Sequence, residues 1–321
     1  MKYSFCGTSG LQLPKVSLGL WHNFGFVDNY ETARDMIIYA FEQGVTHFDL
    51  ANNYGPPFGS AESNFGKILK ENLASHRDEM IISSKAGHLM WDGPYGDGGS
   101  RKYMIASINQ SLQRTGLDYF DVFYTHRYDP DTPIEETMQA LVDIVRQGKA
   151  LYVGISKYPP IQARKAMNYL IERDVPCLIF QDKYSMLNRN PENEILGITK
   201  DYGSGFIAFS PLSQGVLTDK YLTGIPAESR AADPKGYLKS QQISPFIIDK
   251  VIQLSEIANQ RNQTMAQLAL AWVLRDERVT SLIVGARNVS QLEDSLKSLN
   301  NLSFTKDELA VIDSILDGAT L

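Results

Sequence analysis

Cysteine is scarce: the 321 residues hold two, Cys6 and Cys177, far apart in the chain and each in apolar surroundings. That excludes a disulfide framework and suits reduced, buried thiols better than a metal pair. The five histidines, at 22, 47, 76, 88 and 126, show no ligand spacing, so no metal is expected. No apolar run is long enough to span a bilayer and no signal peptide opens the chain, so a cytoplasmic protein with no membrane partner is expected. A basic cluster is missing too. With 31 Lys and Arg against 37 Asp and Glu, the net charge of −6 argues against nucleic acid. No Gly-x-Gly-x-x-Gly follows a strand and opens a helix. The stretch from Gly59 to Lys67 is not a phosphate loop either, because six residues separate its glycines and Ile68 follows the lysine. Nothing of low complexity divides the chain, and a single domain over residues 1–321 is expected.

What is present is a hydrophobic content of 43%, enough for a full core, arranged in short runs. Eight strands are expected, ending at Gly19, Asp49, Lys85, His126, Ser156, Gln181, Ser210 and Gly285. Between them apolar residues recur three or four apart, as in Ile105, Ile108, Leu112 and in Ile134, Met138, Leu141, Val145. Thr132–Glu135, Thr264–Gln267 and Thr305–Glu308 each place a hydroxyl residue three before a Glu or Gln, the pattern of a helix N-terminal capping box. Strands alternating with helices read as an α/β chain, a (β/α)8 TIM barrel whose active site forms at the C-terminal strand ends. A doubly wound open sheet is the competing architecture. The barrel leaves about 70 residues over. They are expected in an N-terminal β-hairpin (Tyr3 to Leu13, turning at Thr8-Ser9-Gly10), loops at 88–102 and 211–245, and an extra C-terminal helix from Thr305.

Asp49, Lys85 and His126 close buried apolar runs, and Tyr54 follows the first of them. An ion taken out of water costs several kcal/mol unless paired, so these residues are expected to meet. Their meeting leaves two readings open: a catalytic group, or a structural Asp–Lys pair beside a core histidine.

The blocks Gly44–Gly55 (GVTHFDLANNYG), Leu117–Arg127 (LDYFDVFYTHR) and Gly148–Ser156 (GKALYVGIS) resemble the aldo-keto reductases, nearly end to end. Trp91–Tyr103 (WDGPYGDGGSRKY) is similar to a bacterial branch that reduces L-glyceraldehyde 3-phosphate. The beta subunits of potassium channels are the next nearest. The resemblance implies NADPH-dependent reduction of a small aldehyde, such as L-glyceraldehyde 3-phosphate or methylglyoxal. Tyr54 would be the proton donor, Lys85 would lower its pKa, Asp49 would fix Lys85, and His126 would orient the carbonyl. The alternative is a regulatory subunit that binds the cofactor without catalysis; the channel subunits carry Asn where this chain has His126, which favours the enzyme. Polyol oxidation would use the same residues. The branch is often assembled as tetramers or larger rings, so a homo-oligomer is implied.

Carried over position by position, the cofactor residues are Trp21, Asp49, Ser156, Gln181, Phe209, Ser210, Pro211, Leu212, Gly215, Lys220, Arg230, Gly285, Arg287, Gln291, Asp294 and Ser295. Ser156 and Gln181 match carboxamide contacts, Phe209 a ring that stacks on nicotinamide, and Ser210–Gly215 the wrap around the pyrophosphate. Arg287 at a helix N-terminus favours NADPH over NADH. Two pairs depart from the family pattern: Ser156-Lys157 stands for Ser-Asn, and Asp294-Ser295 for Glu-Asn. Trp91 and Arg101 are expected to contact substrate, as an apolar wall and an anchor for phosphate.

Overall fold

The computed structural model describes residues 1–232 and 237–321, so four positions of the 211–245 loop, 233–236, lie outside the described residues. Strands β1 (Tyr3–Phe5) and β2 (Gln12–Pro14) form an antiparallel hairpin in the register Ser4 to Leu13. Eight parallel strands follow: β3 (Val16–Gly19), β4 (His47–Asp49), β5 (Ile81–Ala86), β6 (Phe120–Thr125), β7 (Ala150–Ser156), β8 (Cys177–Lys183), β9 (Gly205–Phe209) and β10 (Val279–Val284). β10 pairs with β3, Leu282 opposite Val16, and closes the barrel, which rules out the open sheet.

The helices form as amphipathic stripes against the strands. In α1 (Tyr30–Glu42) the buried residues are Ala33, Met36, Ile37 and Ala40, a single face at helical spacing, and the Asn29 carboxamide accepts the Thr32 N–H at 2.8 Å to cap it. Around the barrel run α2 (Ser60–Ile68), α3 (Arg101–Thr115), α4 (Ile134–Arg146), α5 (Pro160–Ile171), α6 (Asn190–Asn193), α7 (Ile195–Asp201), α8 (Pro245–Gln260), α9 (Met265–Leu274), α10 (Val289–Leu296) and α11 (Lys306–Leu316). The capping boxes at Thr264 and Thr305 form as expected. The one at Thr132 does not. Its hydroxyl turns back to Asp129 at 2.7 Å, and Pro133 takes the capping position of α4.

Two apolar layers result. The larger lies between strands and helices; the smaller lies inside the barrel, where Ile81, Val122, Leu178 and Ile207 meet Cys6 and Leu13 of the hairpin. The hairpin therefore plugs the N-terminal end of the barrel, held by hydrogen bonds such as Thr8 N–H to the Gly203 carbonyl at 2.9 Å. Both thiols are free and buried, and burial pushes Cys177 up to about 12. Above the plug is a polar layer: His47 bonds Ser17 at 2.9 Å and Ser83 at 3.0 Å, and Ser17 bonds Ser281 at 2.8 Å. Burial holds His47 down at about 4, so it is neutral at neutral pH.

Candidate active site

Side chains alternate across a strand, so every second residue continues the series that points into the barrel. On β5 the series is Ile81, Ser83, Lys85; on β4 it is His47, Asp49; beyond β6 it runs Val122, Tyr124, His126. The same parity carries Ser156 on β7, Phe209 on β9 and Gly285 after β10. Glycine at 154 is required here, because a Cβ would collide with the Tyr124 ring. The open C-terminal end leads into a cavity of about 1110 Å³. Asp49, Tyr54 and His126 lie in its wall, and Lys85 lies fully buried beneath them.

The Lys85 ammonium donates to Asp49 Oδ2 and to the Leu50 carbonyl, both at 2.6 Å, and reaches the Tyr54 hydroxyl at 3.4 Å. Asp49 Oδ1 accepts from Ser83 Oγ at 2.9 Å and from Gln181 Nε2 at 3.1 Å, so the carboxylate is fixed from three sides. Burial lowers the pKa of Lys85 while Asp49 opposes the shift. Burial and the Asp49 charge hold the Tyr54 phenol well above its usual value. The expected lowering of Tyr54 by Lys85 is opposed, because Asp49 stands closer to the ammonium than the phenol does and offsets its charge. His126 packs edge-on to Tyr54, with ring centroids 5.8 Å apart. Burial and the cations Lys85 and Lys157 drive its pKa far down, which leaves a neutral imidazole whose Nδ1 has no hydrogen-bond partner among the described residues. The group can thus offer a protonated phenol and a neutral N–H to one small polar atom.

The cavity continues from this group past Phe209 to the N-terminus of α10. Lys220, Arg230 and Arg287 converge there, and no ion pair to any of them is found among the described residues. Burial and mutual repulsion lower the pKa of Lys220 and Arg230. Ser210 and Gln214, both in the cavity wall, have φ of 53° and 58°, left-handed backbone of the kind that can turn N–H groups toward an anion. Ser156 Oγ is buried without a partner. Together these suit an extended polyanion with a planar polar group at its inner end.

All sixteen sequence-expected cofactor positions line this cavity. Several are engaged with protein groups: Gln181 with Asp49, Asp294 with Gln267 at 2.6 Å, and Ser295 with the Gln291 carbonyl at 2.9 Å. Trp21 lies 5.1 Å from the exposed Tyr237 ring and 6.3 Å from Tyr54. The two substrate residues do not line the cavity. Arg101 opens α3 and pairs with Asp143 on α4, because its position in the first turn points it along the outer helical layer. Trp91 packs on Tyr103, centroids 5.5 Å apart. Lys157, His88, Gln214 and Tyr237 line the cavity and were missed. For Lys157 the signal was its place directly past the C-terminal end of β7, at the barrel mouth, in the pair that departs from the family pattern. Among the described residues, no cluster of three or more His, Cys, Asp or Glu could hold a metal ion, and no helix is long and apolar enough to cross a membrane.

The sequence model of the aldo/keto reductase family matches residues 15–317. The chain is 53% identical over 323 residues to an L-glyceraldehyde 3-phosphate reductase of Escherichia coli O157:H7, covering 99% of this chain and 93% of the relative. Identity to the protein of the same name from strain K12 is 52%, with the same coverage. A probable voltage-gated potassium channel subunit beta of Arabidopsis thaliana is 35% identical over 306 residues, covering 94% of this chain and 92% of that one.

Proposed function

The chain belongs to the aldo/keto reductase family, and from that premise we propose that it is an NADPH-dependent reductase of small aldehydes with Tyr54 as proton donor. The observation that carries the reading is the Asp49–Lys85–Tyr54 chain of contacts beside a neutral His126, at the inner end of a cavity suited to a polyanion.

NADPH, when bound, supplies the hydride that reaches the carbonyl carbon. His126, neutral, hydrogen-bonds the carbonyl oxygen and fixes its direction without giving up a proton of its own. Tyr54, held protonated, gives its proton to the oxygen as negative charge develops there. An alkoxide is a much stronger base than a phenolate, so this transfer is downhill even from a phenol of raised pKa. The tyrosinate left behind faces the Lys85 ammonium at 3.4 Å, and it recovers a proton from water through the open cavity. Asp49 keeps Lys85 in position throughout.

Arg287, Lys220 and Arg230 supply the charge for the cofactor phosphates, and Ser156 Oγ supplies an unused hydrogen-bonding group for the carboxamide. The adverse mutual repulsion of those cations is relieved by an anion, which supports a phosphorylated dinucleotide there. L-Glyceraldehyde 3-phosphate and methylglyoxal are the first substrates to try, the former because two relatives above half identity bear its name. The test follows nicotinamide absorbance over a panel of aldehydes with NADPH and with NADH. Turnover of several aldehydes, faster with NADPH, is expected. Cofactor binding without turnover of any of them would favour the regulatory reading instead.

A further inference from the structure

Lys157 is the feature of this cavity that the proposed chemistry leaves unexplained. It follows β7 with φ of 56°, a left-handed conformation that Asn adopts more easily than Lys. Its backbone N–H is pinned to the Gln181 carbonyl at 3.1 Å. Its side chain lines the cavity, and its ammonium donates to His88 Nε2 at 3.2 Å. His88 is itself placed: Tyr103, fully buried, donates to its carbonyl at 2.5 Å, and its ring lies 4.5 Å from that of His126. The ammonium is thus one imidazole away from the group that would hold the carbonyl.

The charge around Lys157 is unbalanced. Lys85 is offset by Asp49, and Arg127 by Asp97 at 3.0 Å. Asp182 is near enough to influence Lys157, but among the described residues no carboxylate comes within ion-pair distance of it. His88, held down at about 4, is a neutral acceptor that orients the ammonium without neutralising it. Burial, Lys85 and Arg127 press Lys157 down to about 8, so it is still mostly charged at neutral pH. A partly desolvated cation that lacks a counterion, aimed into a cavity, is stabilised by an anion arriving there.

We propose that Lys157, oriented by His88, anchors an anionic group on the substrate, so that the site selects small aldehydes carrying phosphate a few bonds from the carbonyl. The proposal rests on the aldehyde-reductase reading and adds the residue that sets its selectivity. Phosphate is preferred to carboxylate because a dianion presents more negative charge to this ammonium, which has no carboxylate partner among the described residues.

The test compares wild type, Lys157→Asn and Lys157→Arg, Asn being a residue the left-handed backbone accepts readily. Specificity constants are measured with NADPH for L-glyceraldehyde 3-phosphate, glyceraldehyde and succinic semialdehyde. Wild type should prefer the phosphorylated substrate. Lys157→Asn should lose about 10- to 100-fold of that preference, mainly through KM, the scale of one charged hydrogen bond, while Lys157→Arg keeps part of it. Calorimetric titration of L-glyceraldehyde 3-phosphate into NADP-saturated protein reads the anchor without turnover, and Lys157→Asn should bind at least about tenfold more weakly. A phosphate preference or affinity that survives Lys157→Asn overturns the proposal. So does weaker NADPH binding with unchanged substrate selectivity, which would assign Lys157 to the cofactor. A stronger preference for succinic semialdehyde would replace phosphate by carboxylate as the class. If wild type reduces no aldehyde, the reductase reading fails, and the titration still decides whether Lys157 holds the anion.

Discussion

Replacing Lys85 by Met should expose how far the site depends on one buried ion pair. Asp49 is 2% exposed and would be left with only the Ser83 and Gln181 donors, at 2.9 and 3.1 Å. Removing one partner of a buried pair costs about 3–5 kcal/mol. The two remaining donors offset part of this, each by roughly 1 kcal/mol, which points to the lower end, about 3 kcal/mol. Asp49→Asn should cost a similar amount, because it strands an ammonium whose remaining contacts at short range are the Leu50 carbonyl at 2.6 Å and the Tyr54 hydroxyl at 3.4 Å. The double variant Asp49→Asn with Lys85→Met leaves neither charge buried. Its loss should be about 2–3 kcal/mol, not the sum of about 6, a coupling of roughly 3 kcal/mol. Urea unfolding of the four proteins under identical conditions measures the cycle. Single losses that add within about 0.5 kcal/mol would show that the two residues are not the mutually dependent pair described here. A double variant that regains stability should still be a poor reductase, since the charge beside Tyr54 is gone.

Arg287→Ala should weaken NADPH by about 1.5–3 kcal/mol and NADH little, read by fluorescence titration of both; equal losses would assign Arg287 to the pyrophosphate or to the fold. Arg101→Ala should leave any preference for a phosphorylated aldehyde unchanged, because Asp143 engages that guanidinium outside the cavity. Stability should fall as pH drops from about 6.5 toward 4. His47 stays neutral in the folded chain down to about 4, whereas the unfolded chain takes up a proton near 6.5. The stability from this group is complete above the unfolded value and lost through that window, by up to about 3 kcal/mol. Wild type and His47→Asn compared by urea unfolding at pH 7 and 4.5 check it: the variant should show a smaller loss.

The barrel was legible because its code is local. Eight apolar runs, each ending in a polar or glycine residue and separated by helical spacing, leave few ways to close a sheet, and the pairing of β10 with β3 is the one long-range fact the runs do not state. The partners Asp49 and Lys85 could be anticipated because their burial demands a counter-charge, and their separation of 2.6 Å meets that demand. Electrostatic balance was harder. Reading Tyr54 beside Lys85 suggested a lowered pKa, but whether Asp49 lies nearer to the ammonium than the phenol does is a matter of three-dimensional distances. Arg101 misled for a related reason: its charge at the start of α3 suggested an anion, and the anion is the Asp143 carboxylate on the neighbouring α4. Thr132 had the spacing of a cap, but its hydroxyl donates to Asp129 and α4 starts one residue later, with Pro133 in the capping position.

Tyr54→Phe tests the central claim most directly, because it keeps the ring beside His126 and Trp21 and removes only the hydroxyl that faces Lys85. Single-turnover reduction of a good aldehyde by bound NADPH should slow by about 100-fold or more, the scale of general-acid loss, with NADPH affinity within a few fold of wild type. Most of the rate surviving would contradict Tyr54 as the proton donor, and with it the account of the site.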